Sequence, residues 1–229
     1  MSNPVGAAEL LVAAPMRIEA ALISSASHPL KGSPALARHP EGHRPAGRTA
    51  GQAGWTHVRK TGMGPKRSKA AAGELVNVGA GASAMLVLGF CGGLDAGSVP
   101  GEVIVAQQVY SAEDEGHVRE RVSCDLSSQL VQRLAGRGMK VRTGDVVCVS
   151  RLALGDRRAQ LHAGGAIAVD MESVWLAAGA GGRPFGVVRV VLDSPEHELM
   201  RVRAVAGALR AARSLRRVAG ALHEWAPAV

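Results

Sequence analysis

The segment Ala168-Val169-Asp170-Met171-Glu172-Ser173 decides how this chain is read. An apolar strand end runs into acidic and capping residues, then into helix-prone residues 174–180. A carboxylate at a strand-to-helix junction sits beside free N–H groups, where the helix dipole favours negative charge. Taken alone, the segment is also an ordinary helix start, with Asp170 or Ser173 capping and Glu172 in the first turn. The next strand, Val187-Val188-Arg189-Val190-Val191-Leu192, is an apolar run of the buried kind, and it delivers Asp193-Ser194-Pro195 at its end. Two carboxylates at strand ends one helix apart match the way open α/β sheets build ligand sites.

Working outward, Glu9-Leu10-Leu11-Val12-Ala13-Ala14 reads as the first strand, followed by Pro15-Met16-Arg17-Ile18-Glu19 and a helix-compatible stretch. Arg17 and Glu19 thus stand two residues apart after a strand end, although Glu19 also suits a first helical turn and Arg17 an ordinary surface position. Trp55-Thr56-His57-Val58-Arg59-Lys60 alternates like a half-buried strand and ends in Thr61-Gly62-Met63-Gly64-Pro65, with helical character over 66–78. That glycine turn can bring backbone N–H groups against an anion or a sugar, but it lacks the spacing of a P-loop or a dinucleotide fingerprint. Ala84-Met85-Leu86-Val87-Leu88-Gly89-Phe90 is an apolar strand leading into Cys91-Gly92-Gly93-Leu94, and its paired glycines suggest close backbone approach. Further strands are predicted over 101–106 and 140–149, and helices over 124–135 and 156–163. Strands alternating with helices at this frequency indicate an α/β sandwich.

The 229 residues, 47% hydrophobic, suffice for one sizeable domain spanning 1–229. Residues 28–54 are rich in Pro, Gly, His and Arg and read as a loop-rich insertion. Within it, His39 and His43 have helical zinc-ligand spacing, but Pro40 and Gly42 oppose the helix, so no metal is expected. Glu113-Asp114-Glu115 reads as a solvated loop. No apolar run reaches about 18 residues, which argues against a membrane span. Residues 7–23 resemble a secretion signal only superficially, since Pro15, Arg17 and Glu19 interrupt them. With three widely spaced cysteines and no C-x-x-C, a cytoplasmic protein with reduced thiols is expected. The net charge of +8 permits contact with nucleic acid, anionic lipid or phosphorylated ligands, but only 3% of residues are aromatic, which disfavours single-strand stacking platforms. Residues 198–225 read as a long or broken helix whose apolar stripe runs through Leu199, Val202, Val205 and Leu209 and continues at Val218 and Leu222. Its arginines make either a solvated face or a surface for transient contact with anionic membrane.

Four segments stand in the order and spacing of the nucleoside phosphorylase and nucleosidase superfamily, which includes purine nucleoside phosphorylases and methylthioadenosine nucleosidases. They are Ala14-Pro15-Met16-Arg17-Ile18-Glu19, Thr61-Gly62-Met63-Gly64, Gly89-Phe90-Cys91-Gly92-Gly93-Leu94 and the opening segment; Val190-Val191-Leu192-Asp193-Ser194 completes the set. The chain resembles that superfamily over nearly all of 10–199. The Val-Asp-Met-Glu-Ser form and the Asp-Ser-Pro-Glu-His continuation look most like its hopanoid-associated branch, which acts on adenosylhopane.

The resemblance implies a three-layer α/β/α sandwich around a mixed, partly barrel-like sheet, with a site at the strand ends. It implies a purine nucleoside substrate, no cofactor, and a homo-oligomer, dimeric or hexameric. Met171 is then expected beneath the ribose and Glu172 on its hydroxyls, while Asp193 protonates or hydrogen-bonds purine N7. Cys91, Gly92 and Thr61 fall in the matching substrate-binding segments. Breaking an N-ribosyl bond builds positive charge on the sugar and negative charge on the base, so these roles make physical sense. A protonated Asp193 would need apolar surroundings. Glu19 matches the glutamate that activates water in hydrolases, and Arg17 the phosphate-binding arginine of phosphorylases. Val87 and Phe90 stand where phosphorylases carry Arg and Ser, and Phe90 also replaces a small polar residue of the hydrolases. Hydrolysis and phosphorolysis, with phosphate as co-substrate, both stay open. The non-enzymatic alternatives are a basic nucleic-acid-binding protein, which leaves the two strand-end carboxylates unexplained, and a degenerate nucleoside-binding relative.

Overall fold

The structure, a computed structural model, describes residues 9–26, 54–79, 81–112, 118–196, 204–223, 225 and 227. The predicted insertion over 28–54, except Gly54, the acidic stretch Glu113-Asp114-Glu115, and the start of the predicted last helix all lie outside the described residues. Eight strands form one mixed sheet: β1 (Glu9–Ala14), β2 (Gly54–Lys60), β3 (Ala84–Gly93), β4 (Val103–Ala112), β5 (Val118–Ser123), β6 (Val141–Cys148), β7 (Ala166–Asp170) and β8 (Phe185–Asp193). The order β2-β1-β3-β7-β6-β4-β5 has β8 bridging β3 and β4, so β3, β7, β6, β4 and β8 close on themselves like a small barrel. β1 pairs with both β2 and β3 in parallel, whereas β3 meets β7 antiparallel at Gly92–Val169 and Gly93–Ala168.

Side chains alternate across the sheet as the pleat requires. Leu10, Val12, Leu86, Leu88, Val188 and Val190 face a core covered by α1 (Arg17–Ala26), α3 (Ser127–Gly136) and α6 (Ala204–His223). Leu11, Ala13, Met85, Val87, Val187 and Val191 face a second core beneath α2 (Pro65–Val78) and α5 (Ser173–Leu176). Two helical layers thus flank the sheet. The remaining helix, α4 (Asp156–Ala163), covers a third cluster through Leu161. No described helix is long and apolar enough to cross a membrane.

The boundaries of β1 and α4 coincide with those read from sequence. The helix expected over 174–180 is a single α-turn followed by a 3₁₀ turn over Ala177–Ala180, and Gly181 in the left-handed region ends it. Arg183 fastens this end by donating to the carbonyls of Ala180 (2.6 Å) and Gly179 (2.7 Å), and to Leu75 at the end of α2 (3.3 Å). β4 runs six residues beyond the expected Ala106, which gives β5 an antiparallel partner. Across 204–223 the last helix is unbroken.

Candidate active site

β7 carries Asp170 to the sheet edge, and the chain turns through Met171 and Glu172 into α5. Asp170 does the capping: its Oδ1 accepts the N–H groups of Glu172 (3.1 Å) and Ser173 (3.3 Å). Glu172 stands at the N-cap position instead of in the first turn, and its side chain makes no cap bond. It reaches across the chain, where Oε1 accepts the Gly64 N–H at 3.2 Å and Oε2 accepts the Met171 N–H at 3.3 Å. The Thr61-Gly62-Met63-Gly64 turn is thereby tied to the opening segment.

Arg189 lies beneath these carboxylates with no exposed surface, the largest side chain so enclosed. The β8 alternation puts it on the same face as Val187 and Val191, opposite the α6 core. Its Nη2 is 2.6 Å from Asp170 Oδ2 and 3.6 Å from Glu172 Oε2, and it donates to Ser173 Oγ at 2.8 Å. Ser173 in turn donates to Asp170 at 2.5 Å. Glu19, on the first turn of α1, joins from the other side, accepting the N–H groups of Phe90 and Met16 at 2.6 Å each. Gly89 provides the room: a Cβ there would stand 2.5 Å from Glu19 Oε1 and 2.7 Å from Arg189 Nη1.

Two carboxylates therefore pair with one guanidinium, and Glu19 acts on it through space. For Asp170, burial raises the pKa, but Arg189 and the bonds from Cys148 and Ser173 outweigh it and hold the carboxyl below its usual range. Burial pushes Glu19 upward despite Arg189 and the two N–H groups. Glu172 is raised to about 7, chiefly by burial and then by the neighbouring Asp170, against the pull of Arg189. Arg189 would lose basicity through burial, yet Asp170, Glu172 and Glu19 keep it above the ordinary arginine range. Glu172 thus changes protonation near neutral pH, and its ionised form suits a group that becomes cationic.

Asp193 ends β8 and meets a residue that the sequence does not single out. Arg158, on α4, is 3% exposed; its Nη2 lies 2.6 Å from Asp193 Oδ2, and its Nε donates to the Ala153 carbonyl at 2.9 Å. The expected apolar surroundings of Asp193 are thus corrected: it is an ion-paired carboxylate. A helix with the sequence Asp-Arg-Arg looks solvated, and only its spacing places Arg158 on the same face as the buried Leu161. Gly92 makes this second approach feasible, since a Cβ there would stand 3.2 Å from Arg158 Nη2 and 3.3 Å from Asp193 Oδ1. Gly92, Met171, Arg158 and Asp193 line a cavity of about 40 Å³, with Leu152 at its mouth.

Among the other expected site residues, Thr61 is buried, and its hydroxyl has no hydrogen-bond partner among the described residues. Cys91 lies in the core, where burial raises its thiol pKa beyond reach of physiological pH. Arg17 is exposed on α1 and makes no hydrogen bond or ion pair with the described residues, so it stands apart from Glu19. Phe90 is buried in the core, against which Met16 and Leu192 pack. Among the described residues no cluster of His, Cys, Asp and Glu is arranged to hold a metal.

Solved structures share this architecture. The futalosine hydrolase of Helicobacter pylori is 17% identical, with a TM-score of 0.67 over 94% of this chain and 96% of that one. The S-adenosylhomocysteine nucleosidase of Streptococcus pyogenes, complexed with 5-methylthiotubericidin, is 19% identical, with a TM-score of 0.68 over 95% and 98%. The 5′-methylthioadenosine/S-adenosyl homocysteine nucleosidase of Campylobacter jejuni is 15% identical, with a TM-score of 0.69 over 95% and 100%. At such identities the likeness shows the fold. No curated protein matches the sequence. The family model described as the phosphorylase superfamily matches residues 9–220, nearly the whole described chain, and the protein belongs to that superfamily.

Proposed function

We propose that the protein cleaves the N-ribosyl bond of a purine nucleoside, with the ribose at Glu172 and the base at Asp193. The observation that carries this reading is the gathering of Glu19, Asp170 and Glu172 around the single guanidinium of Arg189. The ribosyl group gains positive charge as the bond breaks, and preorganised carboxylates stabilise that charge without reorganising. Asp170 is spent on Arg189 and on the helix start, which leaves Glu172 to face the sugar hydroxyls. Thr61, with its unpaired hydroxyl in the turn that holds Glu172, supplies a further sugar contact, and Met171 packs below the ring.

At the base, the Arg158–Asp193 pair offers a donor beside an acceptor. Asp193 accepts from an exocyclic amino group or from N7–H, and Arg158 donates to the nitrogen that gains electrons as the base leaves. The cavity holds about one water, so a base enters only as Leu152 and Met171 move aside. Water is the acceptor in this reading. Glu19 is fixed by two N–H groups at the edge of the cluster, able to orient a water toward the anomeric carbon. The similar structures named above are called hydrolase and nucleosidase, which agrees. One observation favours phosphorolysis as the second reading: Arg17 is unpaired among the described residues and available to phosphate.

The finer substrate is an adenine nucleoside with a large apolar 5′ substituent, such as adenosylhopane. Its support is the sequence resemblance together with Leu152, 66% exposed beside the cavity, which an apolar substituent would cover. Assembly as a homo-oligomer and transient membrane contact through α6 belong to the same proposal. The test compares kcat/KM for adenosine, methylthioadenosine and an adenosyl polycyclic lipid presented in vesicles. A preference for the lipid supports the finer reading, and a preference for either small nucleoside removes it while leaving N-ribosyl cleavage in place.

A further inference from the structure

A larger cavity, about 500 Å³, opens on another side of the sheet, within the size range of small-molecule sites. Its walls are the loop before β4 (Val99 to Glu102), the entry to β6 (Gly138 to Arg142) and one face of α6. From that face come Arg210, Ser214 and Arg217, spaced by four and then three residues and so stacked along one stripe. Lys140, just before β6, and Arg142, on β6, line it from the other wall. The loop seats closely on the helix: a Cβ at Gly101 would stand 3.0 Å from Arg210 Cγ and 3.2 Å from Ser214 Oγ.

Most charges at this cavity differ from the two buried arginines described above. Arg158 and Arg189 are each met by carboxylate, and Arg142 is held by Asp95 and, at 3.7 Å, by Glu102. Lys140, Arg210 and Arg217 make no hydrogen bond or ion pair with the described residues, nor does the Ser214 hydroxyl. Four cations against Asp95 and Glu102 leave a surplus of two positive charges around one concave space. Like charges converging on a cavity repel one another, and an anion seated among them removes that cost. A phosphate monoester carries roughly −1.5 to −2 near neutrality and three acceptor oxygens, which matches the surplus and the donors.

We propose that this cavity binds a soluble phosphorylated small molecule through Lys140, Arg210, Ser214 and Arg217. Concavity favours a discrete ligand over a lipid surface, because a sheet of headgroups meets protruding side chains and not a recess. The cavity is also joined to the nucleoside site through its wall. Gly101 N–H donates to the Val191 carbonyl at 2.8 Å, two residues before Asp193, and the loop that supplies Asp95 leaves directly from Gly93.

The experiment titrates inorganic pyrophosphate into the whole protein by calorimetry at low salt. Comparison proteins are Arg210→Gln/Arg217→Gln, Lys140→Gln alone, and Glu172→Gln. Saturable 1:1 binding to the parent is expected, weakened at least about tenfold by each lost charge-assisted contact and unchanged by Glu172→Gln. Circular dichroism confirms that the double variant folds, and Lys140→Gln tests the same cavity from another element. Three results would overturn the proposal: no saturable binding to the parent, binding unchanged in both cavity variants, or binding to phosphatidylserine vesicles with none to pyrophosphate. None of these bears on nucleoside cleavage, which Glu172→Gln reports separately.

Discussion

Two arginines, Arg189 and Arg158, meet carboxylates at 2.6 Å, yet they do different jobs. Arg189 has no exposed surface and answers to Asp170, Glu172 and Glu19 together, so its neighbourhood has too few positive charges. Arg158 serves one carboxylate at a cavity wall, with the Ala153 carbonyl taking its Nε, and the pair is balanced. Burial, with Asp170 beside it, raises Glu172 to about 7 against the pull of Arg189, and in the proposed reaction its ionised form meets the cationic sugar. The balanced pair presents a donor and an acceptor side by side, which suits a planar base. In the proposed reaction, the shared arginine and the matched pair, built from the same residue types, serve the sugar and the base respectively.

Removing the shared cation should break this contrast most severely. Arg189→Met leaves buried carboxylates uncompensated and should cost about 3–5 kcal/mol, measured by urea denaturation. Arg158→Met strands one buried carboxylate instead of two and should cost about 3 kcal/mol, the lower end of that range. Equal losses would erase the distinction between the two sites.

Catalysis sharpens it next. Glu172→Gln and Asp193→Asn should each slow base release by about 10²–10³-fold with the fold retained, the loss expected for one preorganised electrostatic contact. Release of the base by Asp193→Asn at the parental rate would remove Asp193 from the mechanism.

A third effect separates the sites by pH. Only ionised Glu172 accepts from ribose hydroxyls with both oxygens, so kcat/KM should climb as pH rises through about 7. Stability runs the other way. The folded-state pKa lies above the unfolded one, so the protonated form favours folding, and stability is lost as pH rises through about 7. Glu172→Gln should flatten that part of the Tm profile, whereas Arg158→Met should leave it in place. A Tm profile that keeps its slope in Glu172→Gln would assign the titration to another group.

The smallest effect belongs to Arg17→Ala. As an exposed residue it should change stability by no more than about 0.5 kcal/mol and leave turnover in phosphate-free buffer unaltered. A rise in KM for phosphate would instead support phosphorolysis.

The sheet was legible where its strands are apolar runs, as in β1, β3 and most of β8, and the end of β8 located Asp193. β5 escaped notice because Val118-Arg119-Glu120-Arg121-Val122-Ser123 is an edge strand pairing only with β4, and charged edges read as loop. Arg189 left a visible mark, an arginine inside an otherwise apolar strand, which demands buried partners. Arg158 left almost none, because its burial comes from where α4 docks and not from its own helix pattern. Gly89 stood in a quoted motif, but its reason, room for Glu19 and Arg189, exists only once α1 and β8 are brought together.

The central claim, that a carboxylate cluster organised by Arg189 drives N-ribosyl cleavage, is met most directly by one measurement. Purified parent protein and Glu172→Gln are incubated with purine nucleosides in phosphate-free and phosphate-containing buffer, and both the base and the sugar product are identified. We expect the parent to release base and free ribosyl sugar without phosphate, and Glu172→Gln to lose that release. A folded parent protein that frees no base from any purine nucleoside in either buffer would contradict the claim.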